Sequence, residues 1–127
     1  MISETKIYAK TYDFILWLFP QTLKFPKSHR FVLAQRIENT LLDFLECIIE
    51  ANAEADKLPL LKKADVKLEK LRTLVRLSKD FKFMSLKAYE YAAGELEEIG
   101  RMLGGWIRQN RTRNRSLVKQ SSLPPLS

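Results

Sequence analysis

The sequence predicts an all-α chain folded as an up-down-up-down bundle of four helices, and three observations carry that expectation. Over most of the chain the apolar residues recur in alternating steps of three and four, the spacing that lines one face of an α-helix. Only four glycines and five prolines occur in 127 residues, and such a composition favours long helices with short connections. The length itself suits one domain with a single core.

The first helix is expected from about Glu4 to Lys24, with Tyr8, Tyr12, Ile15 and Phe19 on one face and Phe14, Trp17 and Leu18 broadening it. Pro20 offers no amide hydrogen to the carbonyl of Leu16 and its ring crowds that carbonyl, so a kink or short break is expected there. A helix apolar on more than one side carries more surface than one bundle core covers. It points either to burial against another subunit or to Trp17 lying over the chain's own loops. The run FILWLF at 14–19 is six residues long and closed by Pro20, whereas a membrane span needs roughly 20 apolar residues. Neither an anchor nor a signal peptide is expected.

Pro26 biases Phe25 away from helical angles and ends whatever precedes it. Ser28 is placed to cap a second helix over about 28–55, whose buried face is Ala34, Ile37, Leu41, Phe44, Ile48, Ala51 and Ala55, widened by Leu33, Leu42, Leu45 and Ile49. Its other face, Glu38, Asp43, Glu46, Glu50 and Glu54, reads as a solvated acidic stripe or a docking face for a basic partner. Pro59 marks the turn into a third helix at about 60–81, with one seam of Leu61, Ala64, Leu68, Leu71 and Val75 and a second of Leu60, Leu74 and Leu77. Ser85 is a cap for the fourth, at about 85–109, which steps through Tyr89, Ala92, Leu96, Ile99, Leu103 and Trp106. Gly100, Gly104 and Gly105 each cost that helix up to about 1 kcal/mol relative to Ala, so close approach of another helix or fraying is expected there. Residues 1–109 therefore read as the bundle. Residues 110–127 lose the apolar period and read as a basic, disordered tail.

Net charge is +7, and its distribution is uneven. Residues 1–100 hold 16 Lys or Arg and all 15 Asp or Glu, while residues 101–127 hold six cations and no acid. Residues 30–56 carry two basic and six acidic side chains, residues 57–82 nine basic and three acidic. One helix is acidic and the next is basic. The basic arc of the third helix, Lys62, Lys63, Lys67, Lys70, Arg72, Arg76 and Lys79, is either a solvated face or a phosphate-binding one. The basic arm, which Lys119 continues, is either a solubilising tail or a nucleic-acid-binding one. The arc with Arg108, Arg111, Arg113 and Arg115 supplies the candidates for phosphate contacts. Such clusters attract polyanions without reading sequence.

Chemistry of other kinds is missing from the sequence. It contains no Gly-rich phosphate loop and no nucleophile paired with a base. One histidine, His29, and one cysteine, Cys47, give no metal-ligand spacing and no internal disulfide. Cys47, flanked by Phe44, Leu45 and Ile48, reads as a small core residue. No enzymatic activity, metal or cofactor is expected, and the setting is read as a bacterial or phage cytosol.

The run FPKSHRFVLAQRIENTLLDFLECIIEA resembles the second-helix signature of the accessory variability determinant (Avd) family, small four-helix-bundle proteins encoded beside the reverse transcriptase of diversity-generating retroelements. The joint spacing of Phe25, Pro26, Lys27, Ser28, Arg30, Phe31, Leu33, Arg36 and Ile37 carries the likeness, which extends from about Tyr8 to Trp106 and includes the run GGWIR. The resemblance implies a barrel-like homopentamer that associates with the reverse transcriptase and its template RNA and supports mutagenic retrohoming. Lys27, Arg30 and Arg36 would then face nucleic acid or a subunit interface, and Phe25, Pro26 and Phe31 would shape the turn and the core. Two other readings stand beside it: an oligomeric scaffold whose acidic and basic helices attract one another between subunits, and the related four-helix proteins encoded within bacterial ribosomal RNA insertions.

Overall fold

The computed structural model describes the backbone of residues 2–121 and the side-chain burial of residues 6–117. In chain order it contains helix α1 over Ile2–Thr22, a single turn α2 over Lys27–His29, a π-helical turn over Arg30–Ala34, and helices α3 over Gln35–Ala53, α4 over Leu58–Asp80 and α5 over Leu86–Ser121. The four long helices pack in a ring: α3 lies between α1 and α4, and α5 between α4 and α1. Contacts climb one helix as they descend the next. Lys10 meets Glu95 and Glu98 while the Trp17 ring meets Tyr91 at a tilt, so α1 and α5 are antiparallel.

The core takes most of the seams that the periodicity predicts for α3, α4 and α5, but Ala55, beyond the end of α3, and Leu42, Ile49 and Leu77, at the edges of the expected stripes, are exposed, and Tyr89 is half-buried. Ile37, Leu41, Phe44, Ile48 and Ala51 are buried from α3, Leu61, Ala64, Leu68, Leu71 and Val75 from α4, and Ala92, Leu96, Ile99, Leu103 and Trp106 from α5. On α1 the phase differs from the expected one. Ile7, Phe14 and Leu18 are buried with Thr11 and Thr22, whereas Tyr8 and Tyr12 are exposed. The apolar stripe of α1 is wide enough to be rotated by about one position, and this rotation leaves the two tyrosine hydroxyls in water.

Several boundaries also depart from expectation. Helix α1 runs through Pro20 without a break and ends at Thr22. Leu16, whose carbonyl loses its usual amide partner at Pro20, is 61% exposed, so that carbonyl lies on the open side of the helix where a kink costs least. Ser28 caps nothing. The α2 turn starts from Pro26 at φ −55°, ψ 141°, and has no side-chain cap. The expected single second helix is divided by the π turn, in which the amide of Gln35 donates to the carbonyl of Arg30. That wider turn brings Leu33 and Ala34 into the core and leaves Phe31 83% exposed, against its expected role in the core. Glu38 is not part of a purely solvated stripe, since it accepts a 2.6 Å hydrogen bond from the buried Thr22 hydroxyl.

At the other end of α3, the Lys57 ammonium donates to the carbonyls of Ala51, Asn52 and Glu54 at 2.7–3.2 Å. One side chain thus satisfies the last turn of α3 and places a cation at its negative end. Ser85 does cap α5, its hydroxyl accepting from the Ala88 amide at 3.1 Å. Helix α5 continues to Ser121 rather than ending near 109. Neither Gly nor Pro follows Trp106 within this span, and Ile107 and Asn110 are still buried, with Asn110 donating to the Trp106 carbonyl at 2.9 Å. The remainder of the expected tail, 122–127, lies outside the described residues.

Two substitutions test this packing. Lys57→Ala is expected to lower stability by about 1 kcal/mol by leaving three helix-end carbonyls to water. The Thr11 hydroxyl is buried without a hydrogen-bond partner, so Thr11→Val is expected to raise stability by about 1 kcal/mol. Urea-denaturation midpoints at unchanged m-value read both effects.

Candidate nucleic-acid interface

The seven cations of α4 do not form one surface. The buried seam fixes the helix's rotation, and with it six of them fall into two files separated by an outer ridge that carries the seventh, Lys62. Toward α3, the Lys67 ammonium lies 3.9 Å from Asp43, and Lys70 lines a groove of about 540 Å³ with Arg36, Thr40, Val66 and Leu74. Lys63 belongs to this file: with Lys67 it lies close enough to Cys47 to oppose the rise in thiol pKa that burial causes. Toward α5, Arg72 and Arg76 line a cleft of about 210 Å³ with Tyr89, Ala93 and Leu96. The Lys79 ammonium sits 4.8 Å from the centre of the Tyr89 ring and also pairs with Asp80 at 3.1 Å. Lys62 is exposed, on the same outer arc as Glu69 and Thr73.

Arg72 is the most constrained of these. It donates to Glu69 at 3.0 Å, and its guanidinium crosses α5 at Gly100, where an added Cβ would stand 2.2 Å from Nη2. Gly100 thus answers the expectation of a close approach, but the group that approaches is a side chain, not a helix. At Gly104 and Gly105 an added Cβ would meet only Arg108 at 3.7 and 3.8 Å, which is ordinary contact. Periodicity could find the cations of α4. It could not find Tyr89 or Gly100 as their neighbours, because nothing in the spacing of α4 reports the register of α5.

The helical extension gives the arm a face. Arg108, Arg111 and Arg115, spaced by three and four, are exposed on one side, while Arg113 lines a hollow with Ala55, Asp56 and Leu117 against the α3–α4 connection. The side chain of Lys119 lies outside the described residues. Of the signature residues, Phe25 is buried and Pro26 begins α2. Lys27 is exposed, Arg30 donates through Nε to the Phe25 carbonyl at 3.3 Å, and Arg36 sits in the α3–α4 groove. Arg30 is accordingly a turn-fixing residue as well as a cation.

Among the described residues three ion pairs join different helices, Lys10 with Glu95 and with Glu98, and Lys67 with Asp43. Hydrogen bonds from Lys10 to Glu95 and Glu98 hold its ammonium protonated above the ordinary lysine range. Burial pushes the Cys47 thiol up, away from the reactive thiolate form. Among the described residues no group of three His, Cys, Asp or Glu side chains is placed to hold a metal ion, and no helix is long and apolar enough to cross a membrane.

A family model described as bAvd-like matches residues 1–110, which include the whole of the α4 surface and the first turn of the arm. Among curated proteins none matches the chain.

Gly100→Ala separates the two roles of Arg72. The displaced group is the flexible end of a side chain, and Ala is favoured over Gly inside a helix by up to about 1 kcal/mol. The variant is expected to gain about 0.5 kcal/mol in thermal or urea unfolding once the lost exposed ion pair is discounted. Its affinity for RNA should fall if the guanidinium contacts phosphate from its present position.

Proposed function

The chain belongs to the bAvd-like family, and from that premise we propose that it is the accessory protein of a diversity-generating retroelement. In this reading it catalyses nothing. It binds template RNA or the complementary DNA through phosphate contacts, associates with the reverse transcriptase, and supports mutagenic retrohoming as a homopentamer. The observation that supports the reading best is the pair of cation files on α4, Lys63, Lys67 and Lys70 beside Arg36 on one flank and Arg72, Arg76 and Lys79 on the other. Seven cations with three acids on one helix is a phosphate-binding balance, and the exposed arginines of α5 extend it. The assembly is supported by apolar surface left on single helices: Tyr8, Tyr12 and Leu16 form an exposed file along α1, and Val66 and Leu77 stand exposed on α4. Five copies would sum the +7 charge of each chain into a strong field for a polyanion.

The test is light scattering of the purified chain, alone and with a structured RNA, combined with binding isotherms across a salt series. A pentamer-sized particle with steep salt dependence is expected, since each phosphate contact contributes about 0.7–0.9 to the slope of log K against log salt. Lys67→Glu with Lys70→Glu is expected to weaken RNA binding by more than about tenfold at low salt and to flatten that slope. Unchanged affinity in this double variant truncated after residue 109 would reject the proposed surface. A monomer indifferent to RNA would reject the function.

A further inference from the structure

The two connections at one end of the bundle bring together aromatic rings that the cation files do not use. Phe83, half-buried, lies face-on to both His29 and Phe81, with ring centroids 4.7 and 5.6 Å away and interplanar angles of 29° and 19°. The buried Phe25 braces Phe83 from the core side at 5.7 Å. The stack ends in solvent: Phe81 is 60% exposed and His29 is exposed.

The backbone holds these rings in place. At the end of α4 the Phe83 amide donates to the Ser78 carbonyl and the Lys82 amide to the Lys79 carbonyl, each at 2.9 Å, the bonding of a helix stop that turns through a left-handed residue. That residue is Lys82, at φ 65°, the one non-glycine with positive φ among the described residues. Glycine occupies this position at lower cost, by about 1 kcal/mol or more. The chain instead keeps a cation between Phe81 and Phe83. The surrounding charge has the same sign. Residues 24–30 hold Lys24, Lys27 and Arg30 with no carboxylate, and residues 79–87 hold Lys79, Lys82 and Lys87 with Asp80 alone, already paired with Lys79.

We propose that this end of the bundle is a stacking platform for unpaired bases of single-stranded nucleic acid, with Phe81 as the ring that a base covers and the flanking lysines holding the adjacent phosphates. Exposed rings set among cations are the arrangement that binds single strands with little regard to sequence, since every base has a π-face and every nucleotide a phosphate. A duplex offers no such face, because its bases are stacked on one another. The proposal rests on the nucleic-acid reading above and adds a preference for unpaired strands, which charge alone does not give.

The experiment uses the full chain and a single-stranded RNA 12-mer carrying the fluorescent base 2-aminopurine, beside an abasic oligomer of equal length and charge. Wild type is expected to quench the fluorophore and to bind the base-bearing strand more tightly than the abasic one. Phe81→Ala is expected to lose the quench and weaken binding to the base-bearing strand by roughly tenfold, with abasic binding and thermal unfolding unchanged, the latter because Phe81 is mostly exposed. Phe81→Trp should retain both quench and affinity. If Phe81→Ala binds and quenches as wild type does, while Lys67→Glu with Lys70→Glu still weakens binding, the platform is wrong and the phosphate interface stands. Wild type that binds neither oligomer overturns both. Phe81→Ala that keeps RNA affinity but loses the reverse transcriptase assigns the rings to a protein partner and overturns the proposal.

Discussion

Phe25 is buried to 1% between the end of α1, the α2 turn and the α4–α5 connection, and the order of the whole bundle depends on that contact. Pro26 stops the chain from continuing as a helix, and Arg30 reaches back to hold the Phe25 carbonyl. With the ring fixed, α3 must begin at one angle and one rotation. The π turn supplies the difference between the phase set by Phe25 and the phase that Ile37, Leu41, Phe44 and Ile48 require to face the core. The same ring packs on Phe83, so both connections at this end are tied to one side chain. Everything downstream inherits the register: α3 sets α4 through its seam, and α4 sets α5.

Register is also what decides the electrostatics. A helix with Leu61, Leu68, Leu71 and Val75 turned inward can present its remaining positions on three arcs only, two flanks and an outer ridge. The cations of α4 occupy both flanks, and the ridge is mixed, with Glu69, Thr73 and Val66 exposed there. Each flank is therefore a charge beside a neighbouring helix, not a charge on an open cylinder. Toward α3 the neighbour supplies Asp43 and Arg36; toward α5 it supplies Tyr89 and the gap at Gly100. Arg76 and Arg36 remain exposed in these clefts, so their attraction for phosphate would be screened by solvent. Arg72, held by Glu69 and lying over Gly100, has the most defined surroundings of the α4 cations.

The buried seams of α3, α4 and α5 were legible because a period near 3.6 residues has one solution when the polar face is charged. Helix α1 was not, because its apolar residues cover more than one face and the sequence does not say which of them its own core will take. Phe31 was expected in the core on the resemblance alone, and the π turn that carries it leaves it in solvent. The extension of α5 was misjudged on composition. Arg, Asn and Ser suggest a solvated tail, but Asn110 returns its amide to the Trp106 carbonyl and Ile107 stays buried, so the helix has reason to continue. At the candidate interface the cations were readable one by one. Their division into two files, and the aromatic stack at the end of the bundle, required the register between helices.

Charge and rings make different demands on a nucleic acid, and this fold sets most of the cations along the side of the bundle and the ring stack at its end, with Lys79 common to both. In the proposed function the files on α4, along the side of the bundle, would act through phosphate and so attract paired and unpaired strands, RNA and DNA, alike. The stack of Phe81, Phe83 and His29 is confined to one end, where a strand must expose a base to use it. A strand held by both would be gripped without regard to its sequence yet kept unpaired at one fixed place relative to the bundle axis. In the proposed partnership with a reverse transcriptase, that combination would serve better than either element alone. Phosphate contacts by themselves leave the strand free to slide, and a single stacked base by itself gives too little affinity to retain it.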